Sequence, residues 1–347
     1  MPSQHISTCP ISAHYLEEES AGVKLPLKLA ESLYVEDVSD ILEKTNFDPL
    51  IDQFYSKSEV ESLRRTRYAL TRRFACEDWV SHEENRNSEA LLYQLYLGLK
   101  MIRPSGGRFE VLHYDLDQAV PRLPRGSRND YSTIPCDCDL LIWPFNLQSD
   151  LDELAALTPS ILGTLKDARN PISQAVNSLE IGYRGDFLNV RHLLWVIGLD
   201  ALVTSTEWEN RGKEVAIERV TDFLGTNFEI YPEKPHPNYS SGPTLPNLKL
   251  KEVVHDVYRL RNDFAHGTWP DKAWAGKVSR RSADDARDIY YAEVLSEAAS
   301  SILRGCLRKI FADPHFVQRF RDKTKMNDHF RARGLVRKTQ KKIHARP

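Results

Sequence analysis

The sequence predicts a mainly α-helical protein. An N-terminal, mostly helical domain with a small β element occupies 1–180, a helical bundle 181–313 and a basic tail 314–347. Three observations lead there. Stretches of the second half repeat apolar residues at three-and-four spacing. Two short stretches of the first half alternate, or run apolar, over the length of a strand. Positive charge collects at the C-terminal end. The 347-residue length suggests two domains, and 41% hydrophobic residues suffice for a substantial core.

In the first half, Val60 to Trp79 reads as a helix, and so does Ser88 to Ile102 through Ala90, Leu91, Tyr93, Leu95, Leu97 and Leu99. Pro104-Ser105-Gly106-Gly107 breaks the second. Phe109 to Tyr114 alternates as a strand does, Cys138 to Phe145 is a second strand-like run, and Asp150 to Lys166 leads by helix into the bundle. Asp186 to Thr206, with Phe187, Leu188, Val190, Leu193, Leu194, Val196, Ile197 and Leu199, is a helix apolar around most of its circumference and is the expected bundle centre. Glu214 to Leu224 is a shorter amphipathic helix stopped by Gly225, and Tyr231 to Pro246, with five prolines, is a loop. Leu250, Val253, Val254, Val257, Leu260 and Phe264 then form one helix face, with Asn247 available as N-cap and Gly267 as the stop. A last helix spans Asp288 to Phe311 and is closed by Asp313-Pro314.

The stretch Arg261-Asn262-Asp263-Phe264-Ala265-His266-Gly267 gathers a cation, an amide and an imidazole beside a helix stop. In a chain with 29 Arg and 11 His, chance supplies about one Arg and His at this spacing, and Arg108 with His113 is such a match; requiring Asn after the Arg lowers the expectation to about 0.04. At about 100° per residue Arg261 falls inside the apolar stripe. An Arg there must pair with an acid, reach a partner subunit or line a cleft, because an unpaired buried charge is costly. Asn262 and His266, four apart, share another face. The carbonyl end of the helix repels phosphate, so Arg261 is needed to reverse the local sign. The ordinary alternative is a buried ion-pair partner and a polar helix terminus. The Asn, the stripe position and the Gly stop together favour a site.

Val257-Tyr258-Arg259-Leu260-Arg261-Asn262-Asp263-Phe264-Ala265-His266-Gly267 resembles the HEPN superfamily, whose signature is Arg, a polar residue often Asn, then His; the Tyr-x-Leu-Arg-Asn…Ala-His-Gly version looks most like its Apea-like branch. The order of long helix, short helix, loop, motif helix and closing helix is similar to the family's, over about 130 residues, although only the motif is specific. The resemblance implies an HEPN-like bundle over 181–313, usually dimeric, in which paired Arg/His motifs form a composite ribonuclease site. It also implies roles in toxin–antitoxin, antiphage and RNA-processing systems, with a variable N-terminal domain that sets the partner or trigger.

Charge distribution bears on RNA as a partner. Residues 319–347 hold 11 Lys or Arg against two Asp, a balance of +9, while the rest of the chain carries −11. Arg331, Arg333, Arg337, Lys338, Lys341 and Lys342 are therefore candidate RNA-backbone contacts, with salt-sensitive affinity; a solvated tail is the competing reading. No N-terminal basic-plus-apolar signal is visible and no uncharged apolar run reaches membrane length, so the expectation is a cytoplasmic protein without a membrane partner. Five cysteines fit a reducing compartment. Cys136-x-Cys138 with His113 has a one-residue gap and no second Cys pair, a weak metal pattern, and Asp137 and Asp139 read as a strand-entry turn. The chain has no phosphate-loop Gly-x4-Gly-Lys-Ser/Thr, no His-Glu-x-x-His and no Gly-x-Ser-x-Gly, which leaves ATPase, zincin and serine-hydrolase readings without support.

The resulting expectation is a metal-independent, cofactor-free endoribonuclease that acts as a homodimer, with Arg261, Asn262 and His266 as catalytic residues, held by an antitoxin or released by a phage trigger. The alternative is a noncatalytic HEPN module that binds RNA, a nucleotide or a regulatory protein.

Overall fold

A computed structural model describes residues 3–10, 23–46, 57–64, 67–76, 82–103, 111–115, 121–122, 147–185, 187–204, 212–230, 249–268 and 286–336. The protein is mainly helical, with a small antiparallel sheet. The described residues fall into two compact units, the first ending at Lys166 and the second beginning at Asp167. The boundary expected at 180 thus moves upstream, because the helix over 171–184 packs into the bundle. Among the described residues no helix is long and apolar enough to cross a membrane.

The first unit contains β1 (Ser3–Pro10), β2 (Leu27–Lys28), β3 (Leu33–Asp37), α1 (Ser39–Lys44), α2 (Lys57–Arg64), β4 (Tyr68–Cys76), α3 (His82–Ile102), β5 (Leu112–Asp115), β6 (Pro121–Arg122) and α4 (Leu147–Thr164). The strands form one antiparallel sheet in the order β2-β3-β4-β1-β5-β6. One side packs Ile6, Ala69 and Leu112 against Val38, Leu42 and Val60. The other side lies under α3 and mixes the buried apolar Cys9, Leu33, Val35 and Leu70 with polar residues. There Arg72 pairs with Glu84 at 2.8 Å, and His113 stands with Nδ1 2.8 Å from Ser7 Oγ and Nε2 3.6 Å from Glu89. The helix expected over 60–79 is corrected: it ends at Arg64, and Tyr68–Cys76 is a strand. Tyr-Ala-Leu-Thr-Arg-Arg-Phe-Ala fits either period, and ladders with both β1 and β3 decide for the sheet. The helices expected at 88–102 and 150–166 are present as α3 and α4, and β5 covers part of the expected strand at 109–114. The run Cys138 to Phe145 lies outside the described residues, as does the loop expected over 231–246.

The second unit is a bundle of α5 (Pro171–Arg184), α6 (Leu188–Val203), α7 (Lys213–Leu224), α8 (Leu250–Ala265), α9 (Ala286–Phe311), α10 (Pro314–Phe320) and α11 (Lys323–Ala332). Asn170 caps α5 by accepting the Ser173 N–H, with Pro171 in the first turn. The bundle core comes from Trp195, Val196, Leu199 and Leu202 of α6, Val253, Val254 and Val257 of α8 and Leu295, Ile302 and Leu303 of α9, all buried. Close approach of α5 and α9 to α6 needs glycine: a Cβ on Gly182 would collide with the Trp195 indole, and one on Gly198 would sit 2.7 Å from Leu303 Cδ2. The Trp195 indole N–H donates to the Leu179 carbonyl at 3.2 Å. Val190 and Ile197 of α6 stay exposed, as do Phe187 just before it and Ile181 of α5.

His192 joins three helices. Its Nε2 donates to the Val257 carbonyl at 2.9 Å, and Nδ1 faces Ser296 Oγ at 3.1 Å. Burial pushes the imidazole down to about 4, against the opposing pull of the Val257 carbonyl. The unfolded imidazole titrates near 6.5, so the stability it contributes is complete above about pH 6.5. It is lost as the pH falls towards about 4, to a total of about 3 kcal/mol. Thermal midpoints of wild type should therefore drop more between about pH 7 and about pH 4.5 than those of His192→Asn; parallel curves would contradict this role.

The C-terminal segment is a tail only in part. Asp313 and Asp322 cap α10 and α11, and Phe320, Met326 and Phe330 are fully buried. From α7 the buried Arg219 donates to the Val203 carbonyl at 2.7 Å, Asn327 Oδ1 at 3.1 Å and the Leu335 carbonyl at 3.0 Å, and its guanidinium lies over the Phe330 ring. Lys323 Nζ donates to the carbonyls of Ala201 and Thr204, at 2.7 and 2.8 Å, and so satisfies the C-terminal end of α6. Residues 314–332 thus belong to the bundle, which corrects the expectation of a tail beginning at 314.

Candidate functional site

Helix α8 has the expected apolar face, since Leu250, Val253, Val254, Val257, Leu260 and Phe264 are all buried. It starts after Lys249, with no side-chain cap; Asn247 lies outside the described residues. Its C-terminus has the geometry that glycine permits. Gly267 has φ 70°, its N–H donates to the Phe264 carbonyl, and the Thr268 N–H donates to the Asp263 carbonyl at 2.9 Å. This Schellman arrangement fixes His266 at the end of the helix, where its backbone N–H donates to the Asn262 carbonyl at 3.0 Å and its side chain is exposed.

Arg261 is half-buried and lines a cleft of about 190 Å³ with Asn262, Tyr258, Asp200 and Lys213. Arg261 Nη1 donates to Asn262 Oδ1 at 3.1 Å. The amide thus steadies the guanidinium. Tyr258 donates its hydroxyl to Asp200 Oδ1 at 2.9 Å. Burial raises the Asp200 carboxyl above the usual carboxylate range, opposed by that bond and by the charges of Arg261 and Lys323. Burial and the neighbouring Asp200 push the Tyr258 hydroxyl well up. Burial pulls the Lys323 ammonium down to about 8, with Asp200 opposing. Lys213 has no carboxylate partner among the described residues. The cleft therefore combines two cations at its wall with one buried, hydrogen-bonded carboxylate, a setting that accepts an anion held against Arg261 and Lys213.

The structure brings Arg261 and Asn262 together in the cleft and leaves His266 outside its lining. Five residues along a helix turn the side chain by about 140° and advance it about 7.5 Å, so one copy of the motif points its guanidinium and its imidazole in different directions. Arg331 and Arg333 sit on or just after α11, paired with Asp328 at 3.3 Å and Asp222 at 2.6 Å. Arg337, Lys338, Lys341 and Lys342 lie outside the described residues, and so do Cys136 and Cys138. Sequence reasoning missed Asp200, Lys213 and Tyr258 as cleft residues. Asp200 had a signal, as a lone acid near the end of a long apolar run, and Tyr258 stands one turn before Arg261.

Tyr258→Phe should cost about 1.5–3 kcal/mol, because it strips a buried carboxylate of its hydrogen bond. Urea unfolding checks this, and an unchanged midpoint would mean that Asp200 finds another donor.

Comparison with models of known protein families, with characterised proteins and with solved structures finds no match to this chain.

Proposed function

We propose that the protein is a metal-independent endoribonuclease of HEPN type, working as a homodimer. The observation that carries the reading is the split presentation of the motif: Arg261 and Asn262 wall an anion-accepting cleft, while His266 is exposed at the end of the same helix. Two copies facing each other supply two imidazoles and two guanidiniums to one phosphodiester. In that arrangement His266 takes the proton of the ribose 2′-hydroxyl, O2′ bonds to phosphorus, and the bond from phosphorus to O5′ breaks. The partner subunit's His266 gives a proton to the leaving O5′. Arg261 offsets the negative charge that builds on the phosphoryl oxygens. The 2′-hydroxyl is the nucleophile, so the reaction needs no activated water and leaves DNA uncut.

The exposed Ile181, Phe187, Val190 and Ile197 favour a second copy as partner, with Val190 and Ile197 seven apart on one face of α6. The setting we assign is toxin or antiphage defence, under the control of an antitoxin or a phage trigger, and the motif resemblance alone supports it. One observation favours a second reading, a noncatalytic module that binds RNA or a nucleotide: within a single chain His266 does not line the cleft. Light scattering coupled to gel filtration, with RNA cleavage assayed across the peak, separates the two. Cleavage is expected in the fraction with twice the 39.9 kDa chain mass; cleavage confined to the monomer would overturn the composite site.

A further inference from the structure

The bundle carries a second concave site away from the motif. An open groove of about 580 Å³ runs along α10 and α11 and is lined by Arg319, Lys325, Asp328, His329, Ala332 and Arg333. Its acids are already engaged: Asp328 pairs with Arg331 at 3.3 Å, and Asp222 of α7 takes both Nε and Nη2 of Arg333, at 2.6 and 3.0 Å. Arg319 and Lys325 are exposed and have no carboxylate partner among the described residues.

Between these cations lies His329. Arg319 Nη1 donates to its Nδ1 at 3.3 Å, so the imidazole is held as an acceptor at Nδ1 and carries its proton on Nε2. Burial pulls the imidazole down, and the charges of Arg319 and Arg333 pull the same way, with Asp222 opposing. The ring packs on an aromatic floor, with centroids 5.2 Å from Phe330, 5.8 Å from Phe316 and 5.9 Å from Phe320. Two cations without a carboxylate partner among the described residues and an N–H donor in an open trough match a phosphodiester, whose charge needs the cations and whose length needs the open ends. The sequence adds charge of the same sign nearby in the chain: the eleven residues after Val336 carry five Lys or Arg and no acid.

We infer that the α10–α11 groove is a second RNA-binding surface, with a backbone phosphate held between Arg319 and Lys325 and within reach of His329. The choice of RNA among polyanions rests on the ribonuclease reading of the motif; the groove's geometry does not. The test is therefore a binding measurement on full-length protein that carries His266→Ala, so that cleavage plays no part. Fluorescence anisotropy with an unstructured, labelled single-stranded RNA is compared with and without Arg319→Gln and Lys325→Gln together. The double substitution is expected to weaken binding about tenfold and to flatten the salt dependence by about 0.7 in slope for each phosphate that the protein no longer neutralises. Both side chains are exposed, and an unchanged melting curve verifies the fold; Lys325→Glu alone should act in the same direction. Equal affinity and equal salt slope overturn the inference, and so does a protein that binds anionic lipid vesicles and no RNA. The two readings fail separately. Groove-dependent RNA binding by a protein that never cleaves keeps the groove and removes the ribonuclease; cleavage indifferent to the groove does the reverse.

Discussion

His266→Ala protein is expected to cleave RNA about 10²–10⁴-fold more slowly than wild type, with its stability changed by no more than about 0.5 kcal/mol. The reason is the position of the residue. Its side chain is exposed beyond the last turn of α8, and what shapes the helix end is the backbone of His266, Gly267 and Thr268, which the substitution leaves in place. Arg261→Ala should lower cleavage by about 10²–10³-fold, as expected for loss of a group that stabilises charge in the transition state. The two variants differ in binding. Arg261 lines the cleft and its loss should weaken RNA affinity, whereas His266→Ala should bind nearly as wild type does. A pair of variants that both bind and cleave normally removes the motif from the function altogether. Weakened binding in Arg261→Ala, without any wild-type cleavage, selects the binding module.

Arg219→Ala carries the largest expected loss of stability, about 3–5 kcal/mol. The side chain is fully buried and binds the C-terminal end of α6, Asn327 of α11 and the chain beyond α11 at once. Alanine leaves a cavity under Phe330 and three acceptors without this donor. Urea unfolding measures the loss, and limited proteolysis should find residues 314–336 opened first. Arg333 is the control: its pair with Asp222 is well formed, but half of the Arg333 side chain is exposed. Arg333→Ala should cost less than about 1 kcal/mol, as surface ion pairs do. If the two substitutions cost the same, the C-terminal helices are not anchored through Arg219.

Much of the second unit was legible in the sequence because α7, α8 and α9 are amphipathic and the first two of them end at glycines. Gly225 and Gly267 both take positive φ, 88° and 70°, where the sequence expected helices to stop. α5 was missed although Asn170-Pro171 is a helix start, and α10 and α11 were missed although Asp313-Pro314 and Asp322 both cap. In the C-terminal case the charge of the segment outweighed its four buried apolar side chains, Val317, Phe320, Met326 and Phe330. The first unit was less legible for a different reason. His5–Cys9 of β1 and Tyr68–Thr71 of β4 are buried on both sides of the sheet, and His5, Ser7, Thr8 and Thr71 interrupt the apolar signal that a core strand usually gives. At the site, periodicity placed Arg261 in the apolar stripe and spacing placed His266 past the helix. What spacing along one helix could not supply is the opposite wall: Asp200 and Lys213 reach the cleft from α6 and α7, elements whose approach only the packed bundle defines.

The most direct measurement is to incubate purified wild type and His266→Ala with tRNA and mRNA in EDTA and to map both ends of every new fragment. The account predicts 2′,3′-cyclic phosphate and 5′-hydroxyl ends from wild type alone, with DNA left intact. Cuts that vanish in EDTA while the fold persists, or cuts in DNA, would contradict it.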